Sequence, residues 1–181
     1  AELEANRSDW HSDILENPLA TDEFWTSRLP DFSQIDVPLL SAANWGGQGL
    51  HPRGNFEAFQ AVPSENKWLE VHGLEHWTHF YTDYGVSLQR RFFDCFLKGE
   101  TAAWADQPRI QLQIRHPGEH FEERHEEEWP IARTEWSKFY LDTANLNLFL
   151  EPQENTAKVS YQGFSDGVSF LSSPVARQTE I

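Results

Sequence analysis

The alternation of apolar and polar positions divides the chain into two halves of different character. In the first half, IDVPLLSAA (residues 35–43) is a short apolar run of the kind a buried parallel strand shows, and KWLEV (67–71) is a second. A glycine-rich loop between them, NWGGQGLHPRGN, leads into a helix expected to start with Asn55 as N-cap and to carry Phe56, Phe59 and Val62 as its apolar positions. PSEN makes the turn before the second strand. Further on, TDYGVSLQRRFFDCFLKGE has the clearest helical period in the chain. Leu88, Phe92 and Phe96, with Phe93 and Leu97 beside them, form one apolar stripe, and Gly99 stands where such a helix ends. Strand, loop, helix, strand, loop, helix is an α/β rhythm. Ahead of it, residues 15–34 read as short helical turns punctuated by Pro18 and Pro30.

From about residue 108 the pattern changes. RIQLQIR alternates Ile110, Leu112 and Ile114 with polar neighbours, the period of a half-exposed strand. GEHFEERHEEEWP is a charged excursion, and SKFYLD, AKVSY and GVSFL are further short strand candidates separated by turn residues. This half reads as all-β and antiparallel. A few strands that stop at RQTEI would leave raw edges, so the β-part is expected to be incomplete. The expected division is therefore 1–107 for the α/β part and 108–181 for the β-part.

Composition narrows the function. With 181 residues, 39% hydrophobic and 14% aromatic including 8 Trp and 13 Phe, the chain has ample material for a packed core in one domain or one and a half. A formal net charge of −15 repels phosphates and anionic lipid, so neither nucleic acid nor membrane is an expected partner. No apolar run approaches the roughly 20 residues needed to span a bilayer. The polar start AELEANRSDWHSD has no signal-peptide core, and Met is absent throughout, an N-terminus that processing would create. A single cysteine, Cys95, allows neither an intrachain disulfide nor a cysteine-built zinc site, which leans toward a reducing, cytoplasmic compartment. Asn6-Arg7-Ser8 fits a glycosylation sequon, one match to a short pattern.

The chemistry concentrates in VHGLEHWTHF (71–80), where HGLEH matches the zinc-protease pattern H-x-x-E-H. In that reading His72 and His76 share a helical face and Glu75 is the general base. Against it, KWLEV runs into His72 as a strand, Gly73 costs a helix about 1 kcal/mol, and no further ligand stands out downstream, so no metal is assigned. The plain reading is that His72, His76 and His79 pack or face solvent. A third reading places a histidine after the last strand of an α/β-hydrolase sheet, where its imidazole shuttles the proton of a nucleophilic serine. The element order suits it, with one loop (37–47) placed to carry an acid and the next (67–79) the base. Trp45 and Trp77 flank these loops and either line a pocket or fill core.

Other motifs have plain explanations. Gly163-Phe164-Ser165-Asp166-Gly167 matches G-x-S-x-G, but VSFLSS after it favours a strand where a nucleophile elbow needs a helix, so it reads as a β-turn. GGQGLHPRGN lacks the Gly-Lys-Ser/Thr ending of a phosphate loop, and EHFEERHEEE lacks the spaced Asp/Asn pattern of a calcium loop.

Taken together, W-x-x-R-x-P-D-x-S-x-I-D-V-P-L-L (Trp25 to Leu40), the Asn-Trp loop, the strand-to-histidine segment, FFDCFLKGE (92–100), PRIQLQI and EEWPIARTEWSKFYLD resemble the cocaine-esterase and Xaa-Pro dipeptidyl-peptidase-like (CocE/NonD) serine hydrolases. The resemblance runs in order along nearly the whole chain. It implies the last strands and helices of an α/β-hydrolase domain followed by the first strands of a jelly-roll β-sandwich. The family pattern L-V-V-G-P-W-S-H falls on Leu69 to His76, making His76 the catalytic base. The family pattern G-W-x-D falls on Asn44-Trp45-Gly46-Gly47, which puts a glycine where the acid belongs. Another carboxylate, with Glu75 and Asp83 near in sequence, or the amide of Asn44 would have to take that role. The nucleophile precedes everything in this chain, which is then a middle-to-C-terminal portion of a longer protein, with the remainder of the hydrolase as its partner. The implied substrates are small-molecule esters or X-Pro peptides, no cofactor is required, and a homo-oligomer is left open. The rival reading is a non-catalytic scaffold, to which Gly47 and the absent nucleophile both point.

Overall fold

The computed structural model describes residues 2–47, 49–154, 156–177 and 179–180, with His76 by its backbone alone. The chain separates into two compact units, Ala1–Ala132 and Arg133–Ile181.

The first unit opens with three short helices, α1 (Glu2–Ala5), α2 (Trp10–Glu16) and α3 (Glu23–Thr26). Its centre is a four-stranded sheet of β1 (Leu39–Asn44), β2 (Lys67–His72), β3 (Ile110–His116) and β4 (His120–Glu126), in that order. The first three strands are parallel and β4 returns antiparallel along β3. Helix α4 (Pro52–Ala61) connects β1 to β2, while α5 (His76–Phe80) and α6 (Asp83–Lys98) connect β2 to β3.

The two-residue period of β2 assigns its faces. Leu69 and Val71 join Ala43, Phe59, Ile110 and Leu112 in one buried cluster, on the side covered by α4. Trp68 points the other way and packs on Leu88, Phe92, Cys95 and Trp104, the cluster built by α6. Each of Leu69, Val71, Ile110 and Leu112 is at most 2% exposed, and such burial contributes about 1.5–3 kcal/mol per side chain.

Local signals account for the helix bounds, with two corrections. Helix α4 starts at Pro52, where a ring without an N–H costs nothing, so Asn55 lies inside the helix and is not its cap. Asn55 instead donates its amide to Ser41 Oγ at 3.2 Å and to the Ala42 carbonyl at 3.1 Å, tying α4 to β1. Helix α6 is capped by Thr82 and ends at Gly99 with φ 78°, as its sequence requires. Its buried stripe is narrower than the apolar pattern, because Phe93 and Leu97 are 52% and 77% exposed.

The expected boundary after residue 107 also moves. Strand β3 pairs with β2 through Leu69↔Ile110, Glu70↔Gln111 and Val71↔Leu112, so it belongs to the first sheet and the division falls after residue 132. Its alternation does not mark a half-exposed strand. Gln111 is 8% exposed because its polar face meets a polar network: Arg91 donates to Gln107, Gln107 to Gln111, and Gln111 to Glu123.

In the second unit, β5 (Tyr140–Asp142) and β6 (Asn147–Phe149) form a hairpin whose turn is held by Asp142, which accepts from the Ala144 and Asn145 amides at 3.0 and 3.3 Å. Strand β7 (Leu171–Ser172) pairs parallel with β6. AKVSY carries no strand, and GVSFL contributes only its Leu171. The GFSDG segment is an exposed turn in which Ser165 Oγ donates to the Gln162 carbonyl at 2.6 Å, and no helix follows it.

Candidate functional site

Adjacent parallel strands deliver their following loops to the same edge of a sheet, and that carboxyl edge is where α/β folds build sites. Here Asn44 at the end of β1 stands in register with His72 at the end of β2. After Asn44 the chain makes a 3₁₀ turn, Trp45–Gly47; after His72 it turns through Gly73, Leu74 and Glu75 into α5. Leu74 adopts φ 61°, and Glu75 caps α5 and accepts from Thr78 Oγ1 at 2.9 Å.

One side chain joins the two loops. Asn44, 3% exposed, donates its amide to the Gly73 carbonyl at 3.0 Å and to the Leu74 carbonyl, and its Oδ1 accepts from the Gly47 amide at 2.8 Å. Gly46 permits the close approach, since a Cβ there would collide with the Leu74 carbonyl oxygen. Trp45 anchors the first loop by donating its indole N–H to the Gln113 carbonyl at 2.7 Å, and Gln113 Oε1 accepts from the Gly73 amide at 2.9 Å. Between the loops and the β3–β4 turn lies a cleft of about 240 Å³, lined by Trp45, Gly46, Leu74, Glu75, Arg115, Glu119 and Phe121.

The residues singled out from sequence are placed as follows. His76 is the first residue of α5, two residues beyond the Leu74 carbonyl held by Asn44, and its ring lies outside the described residues. The zinc reading that puts His72 and His76 on one helical face does not hold, because His72 ends a strand and a three-residue turn separates the two. Trp45 both lines the cleft and packs toward Phe56, with ring centroids 5.9 Å apart. Trp77 is 59% exposed on α5 and does not line the cleft. The Asn44 amide is spent on backbone carbonyls, and Asp83 is exposed at the start of α6. Gly47 has room: a Cβ there would come no closer than 3.4 Å, to the His51 ring.

Beneath this edge, on the α6 face of β2, sits a polar cluster that the sequence reading did not find. Glu70 and His72, 3% and 5% exposed, are hydrogen-bonded through Oε2 and Nδ1 at 2.8 Å. Tyr84 Oη donates to the other carboxylate oxygen at 3.2 Å. The His79 ring stacks on His72 with centroids 4.6 Å apart and an interplanar angle of 19°. Burial pushes the His79 pKa down, the neighbouring His72 adds to the shift, and Glu70 partly opposes it. Burial, then the charge of Glu70 and its hydrogen bond, raise the Tyr84 phenol far above its ordinary value. The available signal was strand alternation, which puts residues 70 and 72 on one face; nothing local in the sequence links them to His79.

No protein-family model matches the chain, and no curated protein does. Two crystal structures of a CocE/NonD family hydrolase from Staphylococcus aureus do match. One is 38% identical with a TM-score of 0.69, covering 78% of this chain and 25% of the other. The second is 37% identical with a TM-score of 0.70, covering 80% and 26%. The chain thus spans about a quarter of the length of the proteins it matches. A shared mixed α/β fold, together with more than a third of positions identical over some four fifths of the chain, places this chain in the CocE/NonD family of hydrolases.

Proposed function

We propose that this chain is the part of a serine hydrolase that carries the catalytic histidine, His76, and that the protein cleaves ester or amide bonds of small molecules or X-Pro peptides. The observation that carries the reading is the pairing of two loops at the carboxyl ends of adjacent parallel strands, with Asn44 bracing the turn that leads into His76. A serine from outside these residues attacks the carbonyl carbon. His76 takes its proton, then donates it to the leaving group as the tetrahedral intermediate collapses to an acyl-enzyme; water, deprotonated by the same imidazole, then releases the acid. Trp45 and Phe121 supply an apolar wall for the acyl side in the cleft. The second unit is the beginning of a jelly-roll sandwich, and the remainder of the hydrolase is the partner that completes the site. No cofactor enters this reaction.

Gly47 at the family's acid position favours one second reading, a scaffold with a degenerate triad. One experiment separates the two. In the protein that carries this chain together with its nucleophile, a fluorophosphonate probe labels the serine, and His76→Ala lowers kcat/KM for an aryl ester by about 10³–10⁴-fold with an unchanged circular-dichroism spectrum. Turnover at the parental rate in His76→Ala removes the assignment, and absence of labelling in the parent favours the scaffold.

A further inference from the structure

The cluster of Glu70, His72 and His79 takes no part in the hydrolytic reading, yet it brings together two buried polar atoms that lack a hydrogen-bond partner among the described residues. The Nε2 atoms of both His72 and His79 are buried with no hydrogen-bond partner among the described residues. A buried polar atom left unpaired costs about 1–3 kcal/mol, and folded interiors keep few of them. Two such atoms on stacked rings, beside a buried carboxylate, need a common partner, and a cation supplies one.

The donor set identifies the cation. Glu70 Oε2 lies 2.8 Å from His72 Nδ1, and the tautomer that donates its Nδ1 hydrogen to this carboxylate carries its lone pair on Nε2; such a carboxylate–histidine arrangement orients metal-binding imidazoles. Tyr84 in turn holds the second oxygen of Glu70. One ligand atom from each of Glu70, His72 and His79 lies within 4.8 Å of the others. Zinc bonds of about 2.0–2.1 Å put tetrahedral ligands about 3.4 Å apart, so ligation requires the half-buried His79 ring, now stacked on His72, to turn until both Nε2 lone pairs meet at one centre. Two imidazole ligands, one of them backed by a carboxylate and the remaining positions left to water, suit a borderline-soft divalent ion, whereas calcium and magnesium require more oxygen ligands than the cluster offers.

We propose that Glu70, His72 and His79 form a binding site for a divalent transition-metal ion, zinc by preference, with the Nε2 atoms of the two histidines as ligands and Glu70 orienting His72 and balancing the charge. The ion staples the end of α5 to β2 and so steadies the helix that begins at His76. The site stands whether or not the hydrolytic reading does. The test strips the purified full chain with a chelator and titrates it with zinc chloride by calorimetry and with cobalt chloride by visible absorption. One equivalent of zinc binds with submicromolar Kd, and cobalt shows the intense ligand-field bands of a four-coordinate site. His79→Gln, at a half-buried position and with the fold checked by circular dichroism, and His72→Gln are each expected to weaken zinc binding by more than about 100-fold, and Glu70→Gln by about 10–100-fold. Absence of saturable zinc uptake in the micromolar range overturns the proposal. So does stoichiometric binding that persists in a folded His79→Gln protein.

Discussion

Replacing Asn44 tests the architecture of the site most directly. Its amide makes three hydrogen bonds to backbone groups of two different loops, the Gly73 and Leu74 carbonyls and the Gly47 amide, from a position 3% exposed to solvent. A hydrogen bond contributes about 1 kcal/mol net, and a buried partner left orphaned costs about 1–3 kcal/mol. Leu74 is exposed, so water can replace that bond. Asn44→Ala is therefore expected to lose about 2–3 kcal/mol, roughly a 10 °C fall in Tm for a unit of this size. Asn44→Asp keeps the shape but turns an oxygen toward two carbonyls, and it should cost at least about 1 kcal/mol more than the alanine variant at neutral pH. The buried aspartate's pKa is raised in the folded state. Its penalty is thus greatest above that pKa and shrinks as pH falls, when the protonated acid can again donate one bond. Urea unfolding followed by circular dichroism at several pH values measures all of this. If Asn44→Asp is as stable as the parent, or Asn44→Ala lies within about 0.5 kcal/mol of it, Asn44 does not brace the loops.

Two further predictions concern the same edge and its underside. Gly46→Ala should destabilise by about 1–3 kcal/mol, since its Cβ meets the Leu74 carbonyl, whereas Gly47→Asp, with 3.4 Å of clearance and outside the left-handed region, should stay within about 1 kcal/mol of the parent; equal melting points for the two variants would contradict the packing described. Because burial and Glu70 raise the Tyr84 pKa above its unfolded value, its contribution to stability is complete below about pH 10 and is lost only above it. An alkaline titration at 295 nm should therefore show a tyrosine that ionises only on unfolding, and Tyr84→Phe should remove that late component.

Strands β1 and β2 and helix α6 were legible because each carries its own period and its own stop signal, down to Gly99 at the end of α6. The division between units was not. The sequence IQLQI alternates, but alternation reports residue type and not what covers the polar side, and here Gln107, Glu123 and Arg91 bury it. Asn55 shows a related limit: a good capping residue was outcompeted by a proline three positions earlier. The placement of His76 directly after the strand-to-turn segment was readable. The bracing by Asn44 and the meeting of His79 with Glu70 and His72 were not, because both depend on contacts across separate elements.

The sheet's two outer strands differ in a way that bears on how the molecule avoids sticking to itself. Strand β4 presents His120, Glu122, Glu123 and His125 as exposed residues on a margin that runs antiparallel to its neighbour, so another chain that laid itself alongside would meet dense charge. Strand β1, LLSAAN, has no charged residue and, among the described residues, pairs on one side only. Lateral addition is thus discouraged at one end of the sheet and unopposed at the other, which gives the sheet a polarity of extension. Wherever this chain occurs, the flank of Leu39–Asn44 is the one that must be shielded to keep it dispersed.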